Sequence, residues 1–366
     1  MGEIMKYLLI DGNNLAIRSA FANEELSAQN GIPTGVHYGV FQSLITLRER
    51  FPEHKILIVW DGKSKRRMEE SKEGVQEGLI SSPYKANRKK DEQPQPLLDF
   101  YEQAPFLKKG LAQTGIPQIR LHSFEADDLI GSYSKSLDGD IVMVTSDKDY
   151  FQLLSESVQM WDIGKDVMVT ESSFKLLMGI TPEQHVDVGA LMGDNGDNIF
   201  GIPSWGEKTA LKAIQEHGSW QAVIDDIRKR YESLRVQYPD VKGAAFEKLR
   251  NIRTPAEQKK FDAGQDWKGK YPEIQEWMPF TGVALAFEDK TWTPSKELKK
   301  GIKNNLLALM FEKRVKLAYS LKKMDTDIED LPTIETGDLD RGKLIEYFDY
   351  FDIETLKDSV GVFEQV

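Results

Sequence analysis

The chain has 366 residues, 40% of them hydrophobic and 29% charged, with a formal net charge of −11 and no cysteine. Those values describe a folded globular chain of one large or two modest domains, and they exclude disulfides, thiolate catalysis and thiolate metal sites. No apolar run approaches the ~20 residues of a membrane span, and Tyr7–Ile10 is too short for a signal peptide, so a cytoplasmic protein with no membrane partner is expected.

In chain order, near-continuous apolar runs alternate with amphipathic stretches. Tyr7–Ile10, Lys55–Trp60 and Asp140–Thr145 read as strands buried on both faces of a parallel sheet. Val36 to Leu47 and Glu125 to Leu137 carry apolar residues at helical spacing between them. This alternation predicts an α/β fold with helices on both faces. The segment from Lys63 to Pro96 is polar and basic, and reads either as a loop or as a helical excursion. Arg228 to Lys303 is charge-rich but contains Trp267, Trp277 and Trp292, which favours folded structure over a linker. Helical patterns return at Asn305 to Met324 and at Asp340 to Phe351, the latter with Asp340 as N-cap.

The acids fall where chemistry is placed in such folds. Asp11 follows the first strand, Asp61 the second, and Asp147 and Asp149 the third. In a parallel sheet these positions share the carboxyl edge, where active sites of open α/β folds lie. A single strand-end Asp is usually a cap or turn residue; three strands doing this together point to a site. Glu125, Asp127 and Asp128 open a helix. They complement its dipole, but at the cost of a mutual repulsion that a cation would relieve. Asp194 and Asp197 stand three residues apart in Gly-Asp-Asn-Gly-Asp-Asn and can face one way in a helical turn. A calcium loop starting at Asp194 fails, because its sixth residue would be Ile199 and its twelfth Trp205.

An oxygen-only donor set suits hard cations, Mg²⁺ or Mn²⁺. The histidines His37, His54, His122, His185 and His217 show no zinc spacing and read as surface or structural residues. Two metals about 4 Å apart can activate water and stabilise a leaving oxygen at a phosphodiester. No P-loop, kinase glycine loop or GxSxG elbow is present, so nuclease chemistry is favoured over NTP-driven transfer.

Net charge alone argues against a polyanionic partner, but nine of the negative charges belong to these acids, and bound cations would offset several. Local basic clusters matter more. Lys63-Ser-Lys-Arg66-Arg67 follows Asp61, and Tyr84-Lys85-Ala-Asn-Arg88 puts two cations beside an aromatic ring that reads as a platform for single strands; the alternative is a solvated charged helix. The turn Gly201-Ile-Pro-Ser-Trp-Gly206, followed by Lys208 and Thr209 at a helix start, offers backbone N–H groups to a phosphate, or is simply an interhelical turn.

These ordered motifs resemble the 5′-nuclease (flap endonuclease) family, in particular the 5′→3′ exonuclease domain of bacterial DNA polymerase I and the stand-alone phage 5′-nucleases. They are Leu-Leu-Ile-Asp11-Gly, Val-Trp-Asp61-Gly, Tyr84-Lys85-Ala-Asn-Arg88, Glu125-Ala-Asp127-Asp128, Thr-Ser-Asp147-Lys-Asp149 and Gly-Asp194-Asn-Gly-Asp197-Asn. The similarity runs from about residue 6 to 216 and resumes near Lys316; no polymerase domain is expected to follow.

The resemblance implies a PIN-like, mostly parallel sheet with helices on both faces and a helical arch near 63–96, in a catalytic domain of residues 1–180. A helical DNA-binding region of residues 181–366 would follow, with a helix-three-turn-helix near 194–216 and an extended insertion near 228–303. It implies that Asp11, Asp61, Glu125 and Asp127 surround one metal and Asp147, Asp149, Asp194 and Asp197 the second, with Asp128 nearby. Lys85 and Arg88 would polarise the scissile phosphate. Arg18, Arg66, Tyr84, Gly201, Gly206, Lys208 and Thr209 would contact DNA, with a K⁺ ion at the turn. Substrates implied are branched or 5′-ended DNA and RNA/DNA hybrids, cut by a monomer working with replication proteins. Ser204 and Trp205 depart from the family's glycine and small aliphatic residue; a positive φ at Ser204 would strain the turn. Rival readings are a non-catalytic junction-binding protein, a PIN-type endoribonuclease and a phosphatase. The last would need an Asp where Asn13 stands.

Overall fold

The computed structural model of the protein describes residues 4–89, 92–237, 308–309 and 311–365. Most of the predicted insertion lies outside these residues. Among the described residues, no helix is long and apolar enough to cross a membrane.

The chain divides into two compact units. The first comprises residues 1–65, 88–177 and 324–366; the second comprises 66–87 and 178–323. The C-terminal segment belongs with the first unit.

In the first unit, strands β1 (Lys6–Asp11), β2 (Lys55–Val59), β3 (Gln118–Ile119), β4 (Asp140–Thr145), β5 (Val158–Asp162) and β6 (Val167–Val169) form one sheet in the order β3-β2-β1-β4-β5-β6. All neighbours are parallel except β5 and β6. The three predicted strands are the centre of this sheet. They are buried over almost their whole length, as runs covered on both faces must be.

Leu8, Ile10, Ile56, Ile58, Val142 and Val144 point to one face. There they join α1 (Gly12–Ala22), α2 (Gly35–Arg50), α4 (Gln95–Ala112) and α11 (Arg341–Tyr350) in a single core. On the other face α5 (Ala126–Ser136) packs against β1 and β2. The Asp340 carboxylate caps α11, accepting from the N–H of Lys343 at 3.0 Å. His37 on α2 is buried between the Tyr347 hydroxyl and Gln103 Oε1 and stacks on Phe351. Burial pushes its pKa down to about 4, so it is a neutral core residue and not a ligand.

Helix α6 (Glu171–Met178) follows β6. In the second unit, α3 (Lys65–Gln76) carries the basic run. There α7 (His185–Met192) packs on α8 (Glu207–His217), α9 (Trp220–Gln237) and α10 (Glu312–Lys322), and the short hairpin β7 (Gly193–Asp194) and β8 (Ile199–Phe200) lies against α7 and α10. The helix expected over Asn305 to Met324 is described from Glu312 to Lys322.

Candidate active site

The parallel register brings the strand-end acids of the first unit to one edge. Asp11 pairs with Val59, two residues before Asp61, and Ile10 pairs with Val144, three residues before Asp147. Asp11 is also the N-cap of α1: its Oδ1 accepts from the N–H of Asn14 at 2.9 Å. Its Oδ2 accepts from the hydroxyls of Tyr150 at 3.1 Å and Thr145 at 3.4 Å.

The loop after β2 is held by close backbone approach. The Gly62 N–H donates to the Phe124 carbonyl, and a Cβ at Gly62 would lie 2.0 Å from the Leu121 carbonyl oxygen. A glycine is therefore required beside Asp61. That contact lets Asp61 Oδ1 accept from the Ala126 N–H at 2.8 Å, so β2 carries a carboxylate to the start of α5. Asp147 caps the following 3₁₀ turn, Lys148–Leu153, by accepting from the Asp149 N–H at 2.9 Å.

At the start of α5, Glu125 and Asp128 form a reciprocal capping box. Asp128 is fully buried, and both its oxygens accept backbone N–H groups, from Glu125 at 3.4 Å and from Asp325 at 2.8 Å. The second of these bonds holds the returning C-terminal segment against α5, which suits a positioning residue better than a direct ligand.

Asp11 dominates the electrostatics of this edge. Burial first, then the neighbouring Asp61 and Asp147 carboxylates, push its pKa up to about 8, against the opposing hydrogen bonds from Asn14 and Tyr150. Among the described residues, no three acid or imidazole side chains stand close enough together to coordinate an ion as they are. The fit to a divalent cation is one of chemistry and charge: hard oxygen donors, partly buried, repelling one another in a way that a cation reverses. Arg18 is exposed at the same edge. Its guanidinium lies against Gly164 of the β5–β6 turn, where an added Cβ would be 2.6 Å from Nη2.

The second unit holds the other two acids and the lysine of the basic motif. Asp194 Oδ1 accepts from the N–H groups of Gly196 and Asp197, and its Oδ2 from Lys322 Nζ at 2.9 Å. Asp197 Oδ2 accepts from the Tyr84 hydroxyl at 3.0 Å, and Lys85 Nζ lies 3.9 Å from the same oxygen. The Lys85 N–H donates to the Asp197 carbonyl, and Asn87 Nδ2 to the Asn195 carbonyl. Lys85 has φ 54° and Asn198 φ 58°, so this pair of tied loops holds left-handed backbone at two non-glycine positions.

Two of the residues expected to contact DNA have distant partners within the protein. Tyr84 is buried, with its hydroxyl on Asp197, so its ring is not displayed for stacking. Arg66 donates to the Ser320 and Lys323 carbonyls, each at 2.7 Å, and so caps the end of α10. Both roles depend on partners more than a hundred residues away, which local spacing does not reveal.

In the predicted phosphate turn, Gly201 packs backbone to backbone on Gly193, and a Cβ there would lie 2.3 Å from the Gly193 nitrogen. Gly206, the N-cap of α8, instead opens onto empty space, with Lys208 and Thr209 exposed beside it. The Gly206 carbonyl accepts from the Thr209 and Ala210 N–H groups, each at 3.0 Å, and so starts an eleven-residue helix whose N-terminal end carries the positive pole of its dipole.

Ser204 has φ 69°, the strained alternative. Ser204→Gly is expected to stabilise the protein by about 1 kcal/mol, because an L side chain in left-handed backbone costs roughly 1–2 kcal/mol and glycine's extra unfolded-state entropy returns part of that. Chemical denaturation of the two proteins measures it; a destabilised variant would show that the Ser204 side chain contributes more than its strain costs.

A model of the 5′-3′ exonuclease N-terminal resolvase-like domain matches residues 6–179, and one of the 5′-3′ exonuclease C-terminal SAM fold matches residues 180–262. A 5′-3′ exonuclease of Aquifex aeolicus is 32% identical over 237 residues, spanning 64% of this chain and 76% of that protein. The chain belongs to the 5′-3′ exonuclease family. DNA polymerase I of Lactococcus lactis subsp. cremoris is 34% identical over 242 residues, 62% of this chain. This chain spans about a quarter of the length of the DNA polymerase I relatives that it matches, 26% in that case. The fold is also that of T5 5′-exonuclease, solved with bound divalent zinc ions, at TM-score 0.50 and 19% identity, covering 87% of this chain and all of that one. Family membership thus agrees with the mostly parallel α/β sheet and the helical region that follows it.

Proposed function

We propose that the chain is a divalent-metal-dependent 5′→3′ exonuclease and flap endonuclease acting on branched or 5′-ended DNA. The observation that carries this reading is the convergence of Asp11, Asp61 and Asp147 from three strands on one sheet edge, with the Asp11 pKa pushed up to about 8 by burial and by the other two. Asp11, Asp61, Glu125 and Asp127 would hold one ion, with Mg²⁺ the natural choice and Mn²⁺ a substitute. On sequence motif, Asp147, Asp149, Asp194 and Asp197 would hold a second. The chemistry such ions supply is activation of water and neutralisation of charge on the leaving oxygen.

The protein's own groups do the rest. Lys85 and Arg88 would place positive charge on the scissile phosphate as its charge grows. Asn14 N–H, Tyr150 and Thr145 fix the Asp11 carboxylate. Exposed Arg18 and the Gly206–Thr209 helix start would hold the DNA backbone, the latter alone or with K⁺. Those contacts are indifferent to sequence and weaken with salt. Water adds to phosphorus, the bond to the 3′ oxygen breaks, and the products carry 5′-phosphate and 3′-hydroxyl ends. RNA-primed 5′ ends would be processed in the same way.

The test offers end-labelled 5′-flap DNA and single-stranded RNA in parallel, with Mg²⁺ and with EDTA. Mg²⁺-dependent cutting near the flap junction is expected. Preference for the single-stranded RNA would move the assignment to a PIN-type endoribonuclease, and binding without cutting to a junction-binding protein.

A further inference from the structure

Lys322 ends α10 with only 6% of its surface exposed. A buried ammonium is costly unless paired, and this one is paired with Asp194 Oδ2 at 2.9 Å. Its stem is seated on a glycine of the facing helix: a Cβ at Gly189 would lie 3.0 Å from Lys322 Cε and 3.5 Å from Cγ. The glycine thus lets the stem lie flat across α7 and bring its charge to Asp194.

The two partners differ in access. The Lys322 side chain is 5% exposed and that of Asp194 is 32% exposed. The ammonium therefore lies behind the carboxylate, and the open side of the carboxylate faces solvent. Asp194 Oδ1 is fixed independently by the N–H groups of Gly196 and Asp197. A plain structural ion pair would account for the burial. It does not require the partner to be a carboxylate held by three donors with one side left open.

We propose that Lys322 is a positioning residue that tunes metal binding at Asp194. It holds that carboxylate aimed in the metal-free protein. Because its charge stays behind the carboxylate when a divalent ion approaches the open side, it also weakens that ion's hold and keeps it exchangeable. This inference rests on the reading of Asp194 as a metal ligand.

Direct Mn²⁺ titration of the DNA-free protein, followed by the paramagnetic resonance of free Mn²⁺, tests both ideas separately. Lys322→Met keeps length and burial and removes the charge. A repulsion between a unit charge and a divalent ion several ångströms apart predicts a Kd lower by about tenfold or more at the site that includes Asp194. Lys322→Arg keeps the charge and should stay near the wild-type Kd. Gly189→Ala, which crowds the stem without altering either charge, should shift the Kd in the same direction as Lys322→Met, and it serves if that variant does not melt cooperatively in EDTA. Asp194→Asn is titrated alongside. If it weakens Mn²⁺ binding while Lys322→Met leaves the Kd unchanged or raises it, Lys322 is a structural partner only and the proposal is overturned. If Asp194→Asn has no effect, the ligand reading fails and takes the proposal with it.

Discussion

Asp11→Asn is expected to lower the rate of flap cleavage by about 10³-fold or more and at the same time to make the metal-free protein more stable. The first effect follows from losing a charged donor at the ion; several kcal/mol of transition-state charge stabilisation correspond to about three decades in rate. The second follows from the Asp11 pKa, which rises from 3.8 to about 8 on folding. A carboxyl whose pKa is raised by folding costs nothing below about 4, where it is protonated in both states. The cost grows as pH rises from about 4 to about 8 and is constant above that. Asparagine keeps one oxygen to accept from the Asn14 N–H, its amide N–H can donate to the Tyr150 hydroxyl, and it has no charge to bury, so the gain in EDTA at pH 8 is on the order of 1–3 kcal/mol. It vanishes near pH 4. Melting curves in EDTA across that range, with saturating Mg²⁺ as the comparison, measure it. A variant less stable than wild type at pH 8 without metal would contradict the electrostatic account of this edge.

Lys85→Met is expected to reduce the single-turnover rate by roughly 10²–10³-fold with little change in DNA affinity, as removal of one preorganised donor to a developing charge does. Lys85 is held for this role by its own N–H on the Asp197 carbonyl, by Nζ 4.8 Å from the centre of the Tyr84 ring, and by left-handed backbone at φ 54°. Methionine retains the stem and the backbone strain, so a stability change does not confound the reading. Rapid-quench cleavage with enzyme in excess separates the chemical step from binding. A loss confined to affinity would make Lys85 a binding residue only.

The centre of the fold was legible because β1, β2 and β4 are continuous apolar runs that each lead to an Asp, and a parallel sheet sends all three ends to one edge. β5 was not seen, because Gln159 interrupts its apolar run, and β3 is too short at two residues to carry a pattern. The helix cap at Asp340 was visible as a local signal, whereas the return of the C-terminal segment to the first unit was not. That return depends on the Asp325 N–H meeting Asp128 and on Phe348 entering the sheet core, contacts nearly two hundred residues apart or more. For the same reason the sequence did not show that Tyr84 and Arg66 each bond to a distant partner within the protein. Tyr150 and Thr145, which fix Asp11, left only their adjacency to Asp147 and Asp149 as a trace in the sequence.

The central claim is that the strand-end carboxylates do the chemistry of a metal-dependent 5′-nuclease. It is tested most directly by measuring cleavage of one 5′-flap DNA in Mg²⁺ and its binding in EDTA, by wild type and Asp147→Ala. The account predicts junction cleavage by wild type in Mg²⁺, no cleavage by Asp147→Ala, and flap binding and melting by the variant close to wild type. Full activity in Asp147→Ala would contradict it.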